Sequence, residues 1–421
     1  MNDQPKMGLN ATWSMAVGGM VGGGIFSVLG VILQMAGEWA WLSFVLAGVV
    51  ALLTGHSYVS LSAAYHEGGG AFTFLRKIGR PHLAGDLSWI LLLGYVLTIS
   101  VYGFTFGHYL NSLFGWGSWF PRVSAAAIIV LLMGVNLVGV GEASWLEILT
   151  VWGKLFVLLG LAVFGLIQFS PENLKYAQAD PGGLTGAIIG AASIFMAYEG
   201  FQLLTYDYAD IRDPERTLRI GVISAILCVI AIYVTVTLGA ASLVGADKII
   251  QEKEISLAYA GEAAFGLTGK ILVSVAAAFS TASAINATLF ATARLSKHVS
   301  EDGELPKIFT HENSSGIPDR SLFFLGAASV LLSVTGGLSD LVEAASLAFL
   351  FTFATVNFVA ARHTDKWTWL SWLGGAISSV AGLMLIWRLF ETQPVSLALI
   401  LLMVGLVLIG RRYMSKRTQD G

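Results

Sequence analysis

The chain has 421 residues, 55% of them hydrophobic and 12% charged, with a formal net charge of −3 and a mean hydropathy of +0.73. A soluble domain of this length does not carry so much apolar surface, so the composition excludes the soluble globular classes and describes a polytopic helical membrane protein. Near-balanced charge decides nothing about nucleic acid by itself, and no nucleic-acid partner is expected.

Windows of about 19 residues place twelve candidate spans at 12–35, 39–65, 85–113, 121–139, 145–169, 185–206, 217–243, 269–297, 321–337, 339–362, 367–388 and 394–411. The least marked boundary separates spans nine and ten, where only Gly336 to Asp340 signals a turn. Met1 to Lys6 is polar and too short for a targeting segment, and no A-x-A-like site ends the first apolar run. The single cysteine, Cys228, lies in an apolar span and has no partner for an internal disulfide.

Span one holds Val17 to Phe26 inside a charge-free run from Ala11 to Ala36. Its three consecutive glycines, Gly22 to Gly24, are expected to unwind the helix near mid-depth. Freed N–H and C=O groups are tolerable there only if protein buries them or a watery cavity receives them. The alternative is close helix packing through small residues. Span five carries Lys154, with no charged residue within six positions on either side. A lysine so deep does not snorkel easily, and the contest between charging it and burying it is what a proton carrier exploits. Its alternative is a permanently charged lysine bonded to carbonyls of the span-one break. Span six contains Phe195 to Gln202, interrupted by Glu199 and Gly200. Spans one and six are five apart and so cross in opposite directions. Two interrupted helices related in this way point to an inverted repeat with a central site.

Downstream, Asp213 followed by Pro214 reads as an N-cap and an N1 proline. Ser280, Thr281 and Ser283 in span eight are hydroxyls suited to a sodium site, or simply bonded to their own helix carbonyls. Lysine and arginine set the orientation. With the N-terminus inside, one face of the loops carries about 17 of them and the other about 6, Lys154 being the remaining one. Both termini are therefore expected in the cytoplasm of a cell-membrane protein, and the basic end from Arg411 reads as an orientation signal.

Five segments in order resemble the amino acid–polyamine–organocation superfamily of transporters. They are Gly22-Gly-Gly-Ile-Phe26, Glu67-Gly-Gly-Gly-Ala-Phe-Thr-Phe-Leu-Arg76, Tyr198-Glu-Gly-Phe201, Asp213-Pro-Glu-Arg216, and the run from Ser283 to Thr288 continuing through Arg294 to Pro306. The resemblance covers nearly the whole chain. It departs from the family at Glu67, where proline is frequent, at Asp213, where asparagine is frequent, at Gly23, often a hydroxyl residue, and at Met196, aromatic in some members.

The resemblance implies an all-α fold of 12 transmembrane helices: a leucine-transporter-like 5+5 inverted repeat with broken helices 1 and 6, plus two C-terminal helices. The first repeat would span 12–169, the second 185–362, and helices 11 and 12 would occupy 367–411. It implies amino acid transport, with the span-five lysine standing where sodium-driven relatives hold their ion and the proton as coupling ion. A zwitterion in low dielectric needs partners for both charges. The N–H groups of Gly23, Gly24 and Ile25, opening a half-helix, suit its carboxylate. Carbonyls of Met20, Val21, Phe195, Met196 and Glu199 suit its ammonium, and the resemblance implies the same positions. The Glu199 side chain either pairs with a basic substrate or bonds the interrupted backbone. Tyr102, Phe106, Phe195, Tyr198, Phe349 and Phe353 are candidate pocket walls, leaning towards neutral amino acids.

A sodium symporter or an exchanger of the same fold remains open, as do an intramembrane enzyme and a non-transporting sensor. Against the enzyme stand the absence of H-E-x-x-H and G-x-S-x-G and seven histidines with no i,i+4 pair; no cofactor or metal is expected. Against the sensor stands the lack of a long soluble insertion. A cysteine introduced at Glu252 is expected to react with an impermeant reagent added outside, and one at Ser314 to be protected. Labelling of intact cells checks this, and the reverse pattern overturns the orientation.

Overall fold

The computed structural model describes residues 6–68, 70–138, 144–176 and 178–419, with 144–149 and 412–419 described as backbone. The helices in chain order are α1 (Leu9–Ala36), α2 (Ala40–Tyr65), α3 (Gly70–Lys77), α4 (Pro81–Phe114), α5 (Phe120–Val138), α6 (Ser144–Ile167) and α7 (Gly183–Ser193). They continue with α8 (Pro214–Val244), α9 (Ala246–Gln251), α10 (Ser256–Glu301), α11 (Asp319–Thr335), α12 (Leu338–His363), α13 (Thr368–Thr392) and α14 (Pro394–Gln419). Among the described residues, 9 stretches are long and apolar enough to cross a membrane, one of them running through both α1 and α2. The protein is an all-α membrane protein.

Apart from span six, the expected spans overlap helices, including the weakly marked division between α11 and α12 at Gly336 and Gly337. Three differences have local causes. Span eight is the long arm of α10, which begins earlier and bends at Phe265 and Gly266 (φ 60°, ψ −151°). The arm before the bend carries Tyr259 and Glu262 and so escapes a hydropathy window. The glycine-rich segment after α2 winds into α3, whose apolar side chains are buried under the bundle. Pro214 opens α8 as expected, but Asp213 caps nothing with its side chain; it adopts a left-handed backbone (φ 49°, ψ 61°). Asn and Asp tolerate that region better than other non-glycine residues.

The largest correction concerns span one. α1 is a single wound helix of 28 residues, and Gly22 to Gly24 do not break it. The glycines serve close packing instead, the alternative reading of the segment. A Cβ at Gly22 would collide with Ala284, one at Gly23 with the Tyr102 ring, and one at Gly24 with the Tyr233 hydroxyl and the Ala197 carbonyl. Glycine permits unwinding but does not require it. Each peptide group left unpaired in an apolar medium costs several kcal/mol, so a helix whose glycine surface is filled by neighbours keeps its ladder. α1 lies at the centre, packed against α4, α6, α7, α8 and α10.

Span six is interrupted as expected. α7 stops at Ser193, two short 3₁₀ segments follow at Phe195–Tyr198 and Phe201–Thr205, and Glu199 between them is extended (φ −66°, ψ 143°). Gly200 takes φ 129°, which an L side chain rarely adopts, and a Cβ there would stand 2.7 Å from the Gly19 carbonyl carbon. The interrupted backbone thus rests directly on α1.

Arginines fasten the C-terminal helices. Arg388 of α13 is largely buried against Glu343 of α12, itself 0% exposed. Arg411, expected to begin a basic tail, has a side chain 6% exposed and pairs with Asp86 and with Glu304. Thr54, Ser57, Asn357 and Ser371 form a buried hydrogen-bonded knot between α2, α12 and α13. Replacing Gly200 with Ala is expected to destabilise the protein by about 2–4 kcal/mol through backbone strain and overpacking. Gly221→Ala, where a Cβ meets only ordinary contact at 3.4 Å, is expected to be neutral or mildly stabilising. Thermal unfolding of the two purified variants checks the contrast.

Candidate functional site

A carbonyl oxygen has two lone pairs, and an α-helical bond occupies only one. Along the middle of α1 the second is taken by side chains from surrounding helices. Lys154 of α6 donates from Nζ to the Gly18 carbonyl at 2.9 Å. The Tyr233 hydroxyl of α8 stands 2.7 Å from the Met20 carbonyl oxygen and 2.9 Å from that of Ala197, bridging α1 and the interruption of span six. Ser280 of α10 donates to Val21 at 3.0 Å. Ser27 donates to Gly23 of its own helix at 2.7 Å and lies 2.8 Å from the Thr105 hydroxyl of α4. The Met20 and Val21 carbonyls, expected at a break, thus accept side-chain hydroxyls from a wound helix. Gly23, Gly24 and Ile25 are different. Their N–H groups belong to the ladder of α1 and are not the open half-helix start expected for them.

The interruption is satisfied piece by piece. The Ser346 hydroxyl of α12 donates to the Ser193 carbonyl at 2.7 Å and accepts from the Met196 N–H at 3.0 Å. The Gln202 side chain accepts from the Gly200 N–H at 3.0 Å and donates to the Glu199 carboxyl at 2.9 Å. Its amide nitrogen also lies 3.3 Å from the Tyr95 hydroxyl, which meets that of Tyr206 at 3.2 Å. Glu199 is 2% exposed and is tied to the interrupted backbone through Gln202. Just past the interruption, burial lifts the Asp207 carboxyl to about 6, with Arg294 opposing the shift.

The proposed pocket walls divide. Phe195, Phe349 and Phe353 form one cluster, with Phe195–Phe353 at 5.6 Å and Phe349–Phe353 at 5.9 Å, and Tyr95 packs on Phe349. Tyr102 lies over Gly23, and its buried hydroxyl has no hydrogen-bond partner among the described residues. Tyr198 turns away, stacking edge-on with Tyr233 and donating to the Phe44 carbonyl at 2.7 Å. Phe106 is only half-buried, at the edge of the core. Of the hydroxyls considered for sodium, Ser280 is engaged by α1 and Thr281 bonds its own helix at Ala277. Sequence reasoning missed Tyr233, Ser346, Gln202 and Tyr95. A lone tyrosine within the apolar run of α8 is a signal that could have marked Tyr233, whereas Ser346 among alanines carries none.

An all-α membrane bundle with one span interrupted against a central glycine-rich helix has the architecture of a secondary transporter. A family model described as amino acid permease matches residues 7–409, and the chain belongs to that family. It is a membrane transporter, not an enzyme. An uncharacterized protein of Methanocaldococcus jannaschii is 30% identical, covering 83% of this chain and 81% of its own. The methylthioribose transporter of Bacillus subtilis is 25% identical, over 81% of this chain and 76% of its own. The serine/threonine exchanger of the same organism is also 25% identical, over 72% and 69%. Tyr233→Phe is expected to leave the Ala197 carbonyl unsatisfied at a cost of about 1–3 kcal/mol. A fall in melting temperature larger than for the half-buried Thr235→Val, on the same helix, checks this.

Proposed function

We propose that the protein carries a small, neutral amino acid into the cell as a proton-coupled symporter, by alternating access around the interruption of span six. The observation that carries the reading is the junction of that interruption with α1, where peptide groups freed from regular winding are held by side chains. A substrate ammonium needs carbonyl acceptors; those of Met20 and Ala197 share the one Tyr233 hydroxyl proton, and that of Val21 accepts from Ser280. Exchanging a hydroxyl for an ammonium there changes few bonds. The unpartnered Tyr102 hydroxyl beside Gly23 is a donor available to a carboxylate. Phe195, Phe349 and Phe353 offer an apolar wall to the side chain, while Met196 and Glu199 complete the interrupted segment.

Lys154 is the proton carrier in this reading. The residue is 4% exposed, and its ammonium bonds the Gly18 carbonyl, one turn before Gly22. Gain or loss of its charge therefore acts directly on α1. The chain would cross the cell membrane twelve times, as two inverted five-helix repeats followed by α13 and α14, with both ends in the cytoplasm. The serine/threonine exchanger among its relatives gives the second reading, exchange of one amino acid for another. Uptake measured against imposed proton and sodium gradients separates the modes.

Lys154→Ala is expected to abolish accumulation driven by a proton gradient in proteoliposomes, and a variant that still concentrates substrate overturns the coupling role. A thermal-shift screen of the twenty amino acids and methylthioribose at two pH values identifies the solute. Stabilisation by methylthioribose alone would refute amino acid transport.

A further inference from the structure

In an unbroken helix the Ser193 carbonyl would accept from Ala197 and the Met196 N–H would donate to Ala192. Here the Ala197 N–H turns to Ile194 at 2.9 Å. The Ser193 carbonyl and the Met196 N–H, three residues apart, both receive the Ser346 hydroxyl, which donates to the first and accepts from the second. One hydroxyl from another helix is thus inserted where a backbone bond would close the turn. Inserted groups of this kind are a recognised cause of helix interruption.

Ser346 is 0% exposed and so has no solvent competing for its two bonds. Its position is set one turn earlier on α12, where Glu343 pairs with Arg388 of α13 and fixes the rotation of the helix. One turn later the same helix supplies Phe349, which packs on Phe353 and Tyr95. Rotation of α12 would move the inserted hydroxyl and the aromatic wall together.

We infer that Ser346 is a positioning residue that holds span six open between Ser193 and Met196, and that α12 sets the geometry of the substrate site through it. The consequence for transport rests on the proposed function; the consequence for the backbone does not. Without the hydroxyl, the Met196 N–H has no fixed partner and the segment samples other conformations.

Two measurements test the inference. Hydrogen–deuterium exchange on the purified, substrate-free protein is expected to be roughly tenfold or more faster in peptides covering 194–198 for Ser346→Ala. Ser346→Thr restores the wild-type rate, and peptides from α2 are unchanged in both. Exchange at the wild-type rate in Ser346→Ala, or acceleration spread equally over α2, overturns the inference. In proteoliposomes given labelled L-alanine, L-serine, L-threonine or L-leucine, Ser346→Ala is expected to raise KM roughly tenfold with the maximal rate within about twofold, again rescued by threonine. An unchanged KM overturns the link to the site. If the wild-type protein takes up none of the four, the transport reading is what fails, and the exchange result still decides the role of Ser346.

Discussion

A peptide group inside a hydrocarbon layer has no water to bond, and the centre of this protein is organised by that constraint. α1 meets it by staying wound through three glycines, and its spare lone pairs are taken by Lys154, Tyr233 and Ser280 from three other helices. Span six meets it in the opposite way. Its winding fails at Ser193, and the hydroxyls of Ser346 and Tyr233 and the amide of Gln202 replace the lost backbone bonds. Both solutions depend on side chains brought from distant parts of the chain, so the packing of the bundle and the polarity of its centre are one problem.

The peripheral helices follow from the same constraint applied to charge. A buried arginine is tolerable only when paired, and Arg388 and Arg411 are paired with carboxylates of other segments. α13 and α14 are thereby registered against α12, α4 and the turn after α10. The α12 register matters most, because that helix presents Glu343, Ser346 and Phe349 along successive turns, linking an outer ion pair, the interrupted span and the aromatic wall.

For a transporter, the value of such a centre is that its bonds are exchangeable. A hydroxyl on a carbonyl and an ammonium on a carbonyl differ little in geometry, so under the proposed function a zwitterion would take over contacts without a large desolvation penalty. A covalently stiff or purely apolar core would offer no such exchange. The close rest of Gly200 on Gly19 adds a second condition, since any movement of the interrupted segment is transmitted to α1 through backbone contact.

Sequence alone determined the membrane class, the succession of helices and the interruption of span six, because each rests on local signals. Apolar length marks a span whatever surrounds it, and Glu199 beside Gly200 leaves a helix no good local solution in lipid. Only the tertiary structure decided that α1 remains wound. Glycine leaves both outcomes open, and the choice fell to Ala284, Tyr102 and Tyr233, residues far away in the chain that fill its surface. The same holds for Tyr198, turned aside by the Phe44 carbonyl, and for Ser346, whose role exists only because α12 lies against the end of α7. Local chemistry sets what a segment can do, and the neighbours that satisfy its polar groups select which of those things it does.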